Sequence, residues 1–344
     1  MALLDSIFGR LPNLAAQAPT QLTFVSSVPD PGLGIAGEAI EADECYIEVY
    51  LESFRLELAR KWTTTFDPVV YVFAGMARDG LEPAKLAAVS KPAELEGLDP
   101  GGLGKVIVAE RRLLGPTPWR GGPLDLQLGL FSLKRSDVLT PWLDYVTKVA
   151  EKGGASFVGP ARPFVDLIGE GLGLLAGQKS ECAIEVGLAT SMLLETSRIC
   201  AIVDVPSGTL DPKKISLDRD QRTLRHDGQP LNAGYCVFSI RCTKEKSYFG
   251  SIPELRAGIA ELKRTLKEFD GENRKPVEDA YTAYRRETVL SPDLIPADAQ
   301  RLAAKAKTQL VDPILSGSQP ISREGGRVNL DRIDLNDLDL YDQG

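Results

Sequence analysis

The chain has one histidine, His226, in 344 residues. Histidine is the usual side chain for proton transfer near neutral pH and the commonest metal ligand, so its scarcity disfavours histidine-dependent catalysis and metal binding. His226 itself lies in the polar stretch 220–228, which is typical of a solvated hairpin rather than of a catalytic base.

The five cysteines are an odd number and are widely spread, and their spacing disfavours zinc and redox sites. No two of the five cysteines are separated by the two residues that zinc ligands and thioredoxin-type centres use. Three fall in apolar, strand-like runs, where a free thiol behaves as a small core side chain. We therefore expect buried, reduced thiols and a cytoplasmic location. The cysteines are Cys45, Cys182, Cys200, Cys236 and Cys242.

Several functional signatures are missing from the sequence. It contains neither a GxxxxGK[ST] phosphate loop nor a GxSxG nucleophile elbow, and no window approaches 18 uncharged apolar residues. The apolar stretch 1–20 lacks the basic region and the unbroken hydrophobic run of a signal peptide. A net charge of −8 gives no general attraction to nucleic acid or anionic lipid. We assign no catalytic residue, no cofactor and no metal ligand, and we expect no nucleic-acid partner.

One glycine-rich segment, GLGIAG at 32–37, has the letters of a dinucleotide-binding fingerprint. That fingerprint works because a strand delivers the loop to the start of a helix. Here the segment follows Pro29-Asp30-Pro31, and the residues after it favour only a weak helix. Nucleotide binding is therefore not predicted.

Alternating hydrophobicity predicts strands in two blocks, 21–136 and 181–245. The clearest case is Leu124, Leu126, Leu128 and Leu130, which alternate with polar residues or glycine. In 47–52, apolar residues alternate with Glu48, Tyr50 and Glu52, which predicts a strand with one wet face.

Turn and loop residues interrupt the first block. Asp67-Pro68 predicts a turn between strands 62–66 and 69–73, and the Pro- and Gly-rich residues 80–104 predict an irregular loop. The stretch 115–123 predicts a stiff, bent connector.

Helical periodicity marks the remaining segments. Residues 1–20 predict an amphipathic helix, 137–180 a helical insertion, and 250–315 a group of C-terminal helices at 253–269, 276–289 and 297–312. The β blocks lack strand–helix alternation, and the second is too short to bury itself. The predicted fold class is therefore α+β, with an antiparallel β-sandwich-like core that both blocks complete, an inserted helical segment and C-terminal helices.

The last segment, 316–344, is an acidic–hydrophobic tail. Apolar residues are interleaved there with five aspartates between 328 and 342, a pattern typical of flexible segments that add to a protein partner. The predicted partner-binding residues are Leu330, Ile333, Asp334, Leu335, Asp337, Leu338, Asp339, Leu340 and Tyr341.

These features favour a non-enzymatic protein-interaction or assembly module, in which a β-sandwich scaffold presents the insertion and the tail to a protein partner or to copies of itself. One alternative is a membrane-acting effector that releases the Gly-rich helix 154–178. Another is a two-carboxylate hydrolase, for which Glu48 and Glu52 are the candidate acids on one strand face.

Overall fold

The computed structural model describes residues 22–55, 66–76, 84–89, 106–134, 182–246, 249 and 252–316. These residues form antiparallel sheets and helices, which confirms the predicted α+β class. They divide into a β unit, drawn from 22–42 and 47–243, and a helical unit, drawn from 43–46 and 244–316. The sandwich packing of the sheets and the predicted domain boundaries stay predictions.

The β unit has twelve strands in the described residues, arranged in three sheets with the orders β1-β8-β12-β2-β5, β11-β10-β9 and β4-β3-β6-β7. The strands are β1 (Thr23–Val28), β2 (Tyr46–Arg55), β3 (Phe66–Met76), β4 (Ala84–Val89), β5 (Ile107–Pro118), β6 (Pro123–Lys134), β7 (Cys182–Leu193), β8 (Arg198–Val203), β9 (Ile215–Leu217), β10 (Leu224–His226), β11 (Gln229–Pro230) and β12 (Tyr235–Thr243). In the five-stranded sheet, strands from the second β block lie between β1 and β2 of the first.

Strand β8 of the five-stranded sheet is apolar and buried on both faces from Ile199 to Val203. Strands β8 and β12 pair antiparallel, with Tyr235 opposite Val203 and Ile240 opposite Arg198. On one face, Val237 and Tyr235 join a buried cluster with residues of the small three-stranded sheet, including Leu217. Burying each such side chain contributes about 1.5–3 kcal/mol.

The leucine-rich strand predicted from its period-two pattern is confirmed. Leu124, Leu126, Leu128 and Leu130 are all buried on β6, whereas Asp125 is exposed. They lie opposite buried residues of β3, as in the pair Val70 and Leu130. Across β3 and β6, one face of the sheet is therefore a continuous apolar surface.

Three predictions in the first block are wrong. Asp67-Pro68 is not a turn, because one strand, β3, runs through it and Pro68 lies opposite Ser132. The pairing of β3 with β4 covers only 71–76, so the missing N–H of Pro68 removes no bond to β4.

The predicted loop 80–104 contains β4, whose alanine-rich sequence has little strand propensity and depends on its pairing with β3. The predicted connector at 115–123 begins within β5, which continues to Pro118.

The helical unit contains α1 (Pro253–Lys267), α2 (Lys275–Val289), α3 (Pro296–Ala306), a π-helical turn (Lys307–Val311) and α4 (Asp312–Leu315). The three predicted C-terminal helices are confirmed, and the last one continues to Leu315. A proline within the first two positions starts each of α1, α2 and α3, where a missing N–H costs nothing. Leu255, Ile259, Leu262 and Leu266 form one buried stripe on α1.

The predicted N-terminal helix (1–20), the helical insertion (137–180) and all nine predicted partner-binding residues of the tail lie outside the described residues. None of the helices in the described part of the chain has both the length and the apolar character that crossing a bilayer requires.

Candidate functional site

Charged side chains gather on one face of the five-stranded sheet, beside the apolar cluster. Residues two positions apart on a strand share a face, and three strands each supply such a set. We call this set the charged face. Its members are Glu48, Tyr50 and Glu52 on β2, Glu110 and Arg112 on β5, and Ser239, Arg241 and Thr243 on β12.

The prediction that β2 has a wet face is wrong. Glu48 is only 7% exposed and Glu52 is 0% exposed, as deeply buried as the apolar residues between them. The reason is that β2 lies between β12 and β5, whose hydroxyl and guanidinium groups cover both carboxylates. A buried charge persists only where it is paired and hydrogen-bonded.

Glu52 is held from strand β12. Its Oε1 accepts hydrogen bonds from the Ser239 hydroxyl and from Arg241 Nη2, the latter at 2.6 Å. Arg241 Nε also donates to Ser239 Oγ at 3.0 Å, and its guanidinium lies 4.0 Å from the centre of the Tyr50 ring. Glu52 Oε2 is buried and has no hydrogen-bond partner among the described residues.

Glu48 is held from both sides of β2. Arg112 Nη1 on β5 donates to its Oε1 at 2.7 Å, and Thr243 Oγ1 on β12 donates to its Oε2 at 3.2 Å. The Arg112 side chain is 49% exposed, so this ion pair places its carboxylate inward and its guanidinium toward solvent. Arg241 and Glu52 have the same orientation.

A third ion pair joins β5 to the loop before β10. Arg222 Nη2 donates to Glu110 Oε1, Arg222 Nη1 donates to the Arg219 carbonyl at 3.1 Å, and the Ser53 hydroxyl donates to the Arg222 carbonyl at 2.7 Å. Here the orientation is reversed, since the Arg222 side chain is mostly buried and that of Glu110 is exposed.

Both carboxylates considered for a two-carboxylate hydrolase are engaged in ion pairs. A two-carboxylate hydrolase places both acids across a cleft that holds the substrate. Glu48 and Glu52 are four residues apart on one strand, about 13 Å between Cα atoms, and each is already bonded to an arginine. Among the described residues, no three His, Cys, Asp or Glu side chains are placed to hold a metal ion.

The glycine-rich segment at 32–37 surrounds a carboxylate of its own chain. Asp30 Oδ1 accepts from the N–H groups of Gly32 and Leu33 at 3.0 and 2.6 Å, and Oδ2 accepts from Ile35 and Ala36 at 2.6 and 2.9 Å. Partial burial acts to raise the pKa of Asp30, but these four bonds outweigh it and lower the pKa below 3.8. The amides that a phosphate would need are therefore occupied by Asp30.

His226 ends β10 and lies opposite Gln229 across the predicted Asp227-Gly228 turn, which is confirmed. The left-handed φ of both turn residues, 50° and 76°, suits a two-residue hairpin. The imidazole Nε2 is buried and has no hydrogen-bond partner among the described residues.

The four cysteines with described side chains form no disulfide bond. Cys45, Cys200 and Cys236 are buried, and Cys242 is partly exposed. Burial raises the pKa of Cys200 and of Cys236 to about 12, which keeps both thiols protonated at neutral pH.

The helical unit has its own buried polar cluster, around Asp298. Tyr46 donates its hydroxyl proton to Asp298 Oδ2 at 2.8 Å and accepts from the Ile295 N–H at 3.1 Å. Arg301 donates to Asp298 Oδ1 through Nε and Nη2, at 3.1 and 2.8 Å, and the Lys246 N–H donates to Oδ2 at 3.1 Å. Burial first, and then the adjacent carboxylate, raise the pKa of Tyr46. This closed network ties residue 46 to α3 and is structural.

Comparison of the chain with protein-family models, with curated proteins and with solved structures returned no match.

Sequence analysis identified Glu48, Tyr50 and Glu52 but missed the residues that hold them. A usable signal was present in β12, where Ser239, Arg241 and Thr243 alternate with apolar residues. Whether these side chains lie on the same face as Glu52 depends on the order of strands in the sheet. That order is decided by pairing between strands far apart in the chain.

Proposed function

We propose that this chain is a non-enzymatic protein-interaction or assembly module. Its β unit is the scaffold, and its tail, through the nine residues from Leu330 to Tyr341 named above, is the element that binds a protein partner or another copy. Alternating leucine and aspartate residues suit a segment that becomes ordered by adding to a partner.

The observation that carries this proposal is the orientation of two ion pairs on the charged face, Glu48–Arg112 and Glu52–Arg241. Both glutamates of β2 are buried, whereas the side chains of Arg112 and Arg241 that pair with them are 49% and 30% exposed. Such a surface presents guanidinium groups for charge recognition, and arginine is enriched at protein interfaces.

Apolar side chains exposed on the helical unit also support a binding role. Val289 and Leu290, at the end of α2, are 52% and 71% exposed. Large exposed aliphatic residues next to each other are a common feature of contact surfaces. The buried, protonated thiols Cys200 and Cys236 suit a reducing compartment, and we place the protein in the cytoplasm.

Light scattering coupled to size exclusion tests the proposal on the full chain. We expect a mass of at least twice 37.3 kDa, or a defined complex with a partner recovered by pull-down. The variant Leu335→Ser/Leu338→Ser/Leu340→Ser removes three of the six apolar residues in the predicted binding set and returns the mass to that of one chain. The control Asn329→Ser/Asn336→Ser changes polar tail positions and leaves the assembly intact.

A single-chain mass for the wild type and both variants, with no partner in the pull-down, would contradict the proposal. If the triple leucine variant still assembles, the interaction does not depend on the tail.

A further inference from the structure

The two halves of strand β5 are held by different forces. In the second half, Leu113, Leu114 and the adjoining Trp119 are buried, and Gly115 lies so close to β2 that a Cβ on it would be 2.4 Å from the Ile47 carbonyl oxygen. In the first half, residues 107–112 are all partly or fully exposed, including Val108. Apolar burial therefore anchors only the second half, and segments with little burial open first.

In the first half, side-chain ion pairs add to the backbone pairing of β5 with β2. Glu110 pairs with Arg222, and Arg112 pairs with Glu48 at 2.7 Å. In each pair the β5 residue is the exposed member and its partner is mostly buried. If β5 detached, Arg222 and Glu48 would each lose their counter-ion, and an unpaired buried charge is strongly unfavourable.

The backbone at one of these pairs is strained on both sides. Glu110 has φ of 42° and Arg222 has φ of 51°, left-handed values that residues other than glycine seldom adopt. Such conformations persist only where surrounding contacts hold them. The Glu110–Arg222 bond joins the two strained residues directly, so its loss removes one of the contacts that hold them.

We propose that residues 107–112 form a releasable sheet edge, held closed by an edge latch of two ion pairs, Glu110–Arg222 and Arg112–Glu48. Opening the latch uncovers the edge of β2 while the second half of β5 stays in place. This step rests on the proposed assembly function, since an uncovered strand edge accepts a strand from a second copy.

Hydrogen exchange measured by mass spectrometry on the full chain tests the latch. The variant Glu110→Gln keeps the shape of the side chain and removes its charge. We expect exchange at 107–112 to become about tenfold faster, as for loss of one charge-assisted hydrogen bond, while 113–118 stays protected. The matched control is Asp227→Asn, which breaks the exposed Lys214–Asp227 pair at another left-handed residue, and asparagine tolerates that conformation.

The salt dependence of hydrogen exchange in the wild-type chain is a second test. Raising ionic strength from about 0.05 to 0.5 M screens partly exposed ion pairs, so exchange at 107–112 increases more than at 113–118. Unchanged exchange at 107–112 in Glu110→Gln, or equal acceleration in every strand, would overturn the proposal. If exchange at 107–112 increases in Glu110→Gln while light scattering still gives the mass of one chain, the releasable edge is supported. That result counts only against the assembly function.

Discussion

The carboxylate of Asp30 organises the glycine-rich segment, and its removal should destabilise the β unit. In Asp30→Ala, four backbone N–H groups lose their acceptor. Those of Gly32 and Ala36 are exposed, so water replaces the lost bonds. The N–H groups of Leu33 and Ile35 are partly buried, and their lost bonds determine the decrease in the free energy of unfolding.

A buried or partly buried donor left without its acceptor costs about 1–1.5 kcal/mol. Two such donors give a loss of about 2–3 kcal/mol in the free energy of unfolding. With a urea slope of about 2–3 kcal/mol per molar, the midpoint falls by on the order of 1 M.

Urea titration of the full chain, followed by the fluorescence of its three tryptophans, of which Trp119 is buried in the β unit, measures this change. The matched control is Asp211→Ala, which removes an acceptor for one exposed backbone N–H, that of Lys213 at 3.0 Å. We expect the control to lose no more than about 1 kcal/mol. Equal midpoints for the two variants would refute the assignment of stability to the four-bond loop.

The effect also has a defined pH dependence. The pKa of Asp30 is lower in the folded chain than its ordinary 3.8, because four N–H bonds outweigh partial burial. Its contribution is therefore complete above pH 3.8 and is lost as the pH falls through the folded value. The stability gap between wild type and Asp30→Ala should be constant near neutrality and should narrow below pH 3.8. A gap that widens in acid would contradict this account.

Three further outcomes are expected. Gly115→Ala places a Cβ 2.4 Å from a backbone oxygen at a φ of 93°. Urea titration should therefore show a decrease of about 3 kcal/mol or more in the free energy of unfolding. An unchanged free energy would contradict the close approach. Tyr46→Phe leaves Asp298 and a buried N–H each short of one bond, and circular dichroism of thermal unfolding should show a cost of about 2–3 kcal/mol. Cys200 and Cys236 have pKa values raised to about 12 by burial, so iodoacetamide at neutral pH should label them only in urea; labelling of the folded chain would show that they are accessible.

Sequence reasoning succeeded where one element decides its own environment. The leucines of β6 and the apolar stripe of α1 are buried because their periods, two and 3.6, match the geometry of a strand and a helix. The Asp227-Gly228 turn follows from residues that tolerate left-handed backbone. These predictions needed no knowledge of neighbouring elements.

The charged face shows where such reasoning ends. Alternation along β2 correctly places Glu48 and Glu52 on one side of a strand, but a strand's own sequence does not reveal what covers that side. The arginines that pair with them come from residues 64 and 189 positions away. Pro68 likewise fits inside a strand because β4 pairs only with later residues of β3.

The order of residues by itself determined the α+β class, the C-terminal helices and the alternating acidic tail, because local periodicity and turn chemistry act over a few residues. Only the tertiary structure decided that the glutamates of β2 are buried ion-pair partners, that Asp30 fills its own glycine loop, and that β5 is half anchored and half held by charge. The physical reason is that burial and pairing of a charge depend on strand order, and strand order is decided by contacts between residues far apart in the chain.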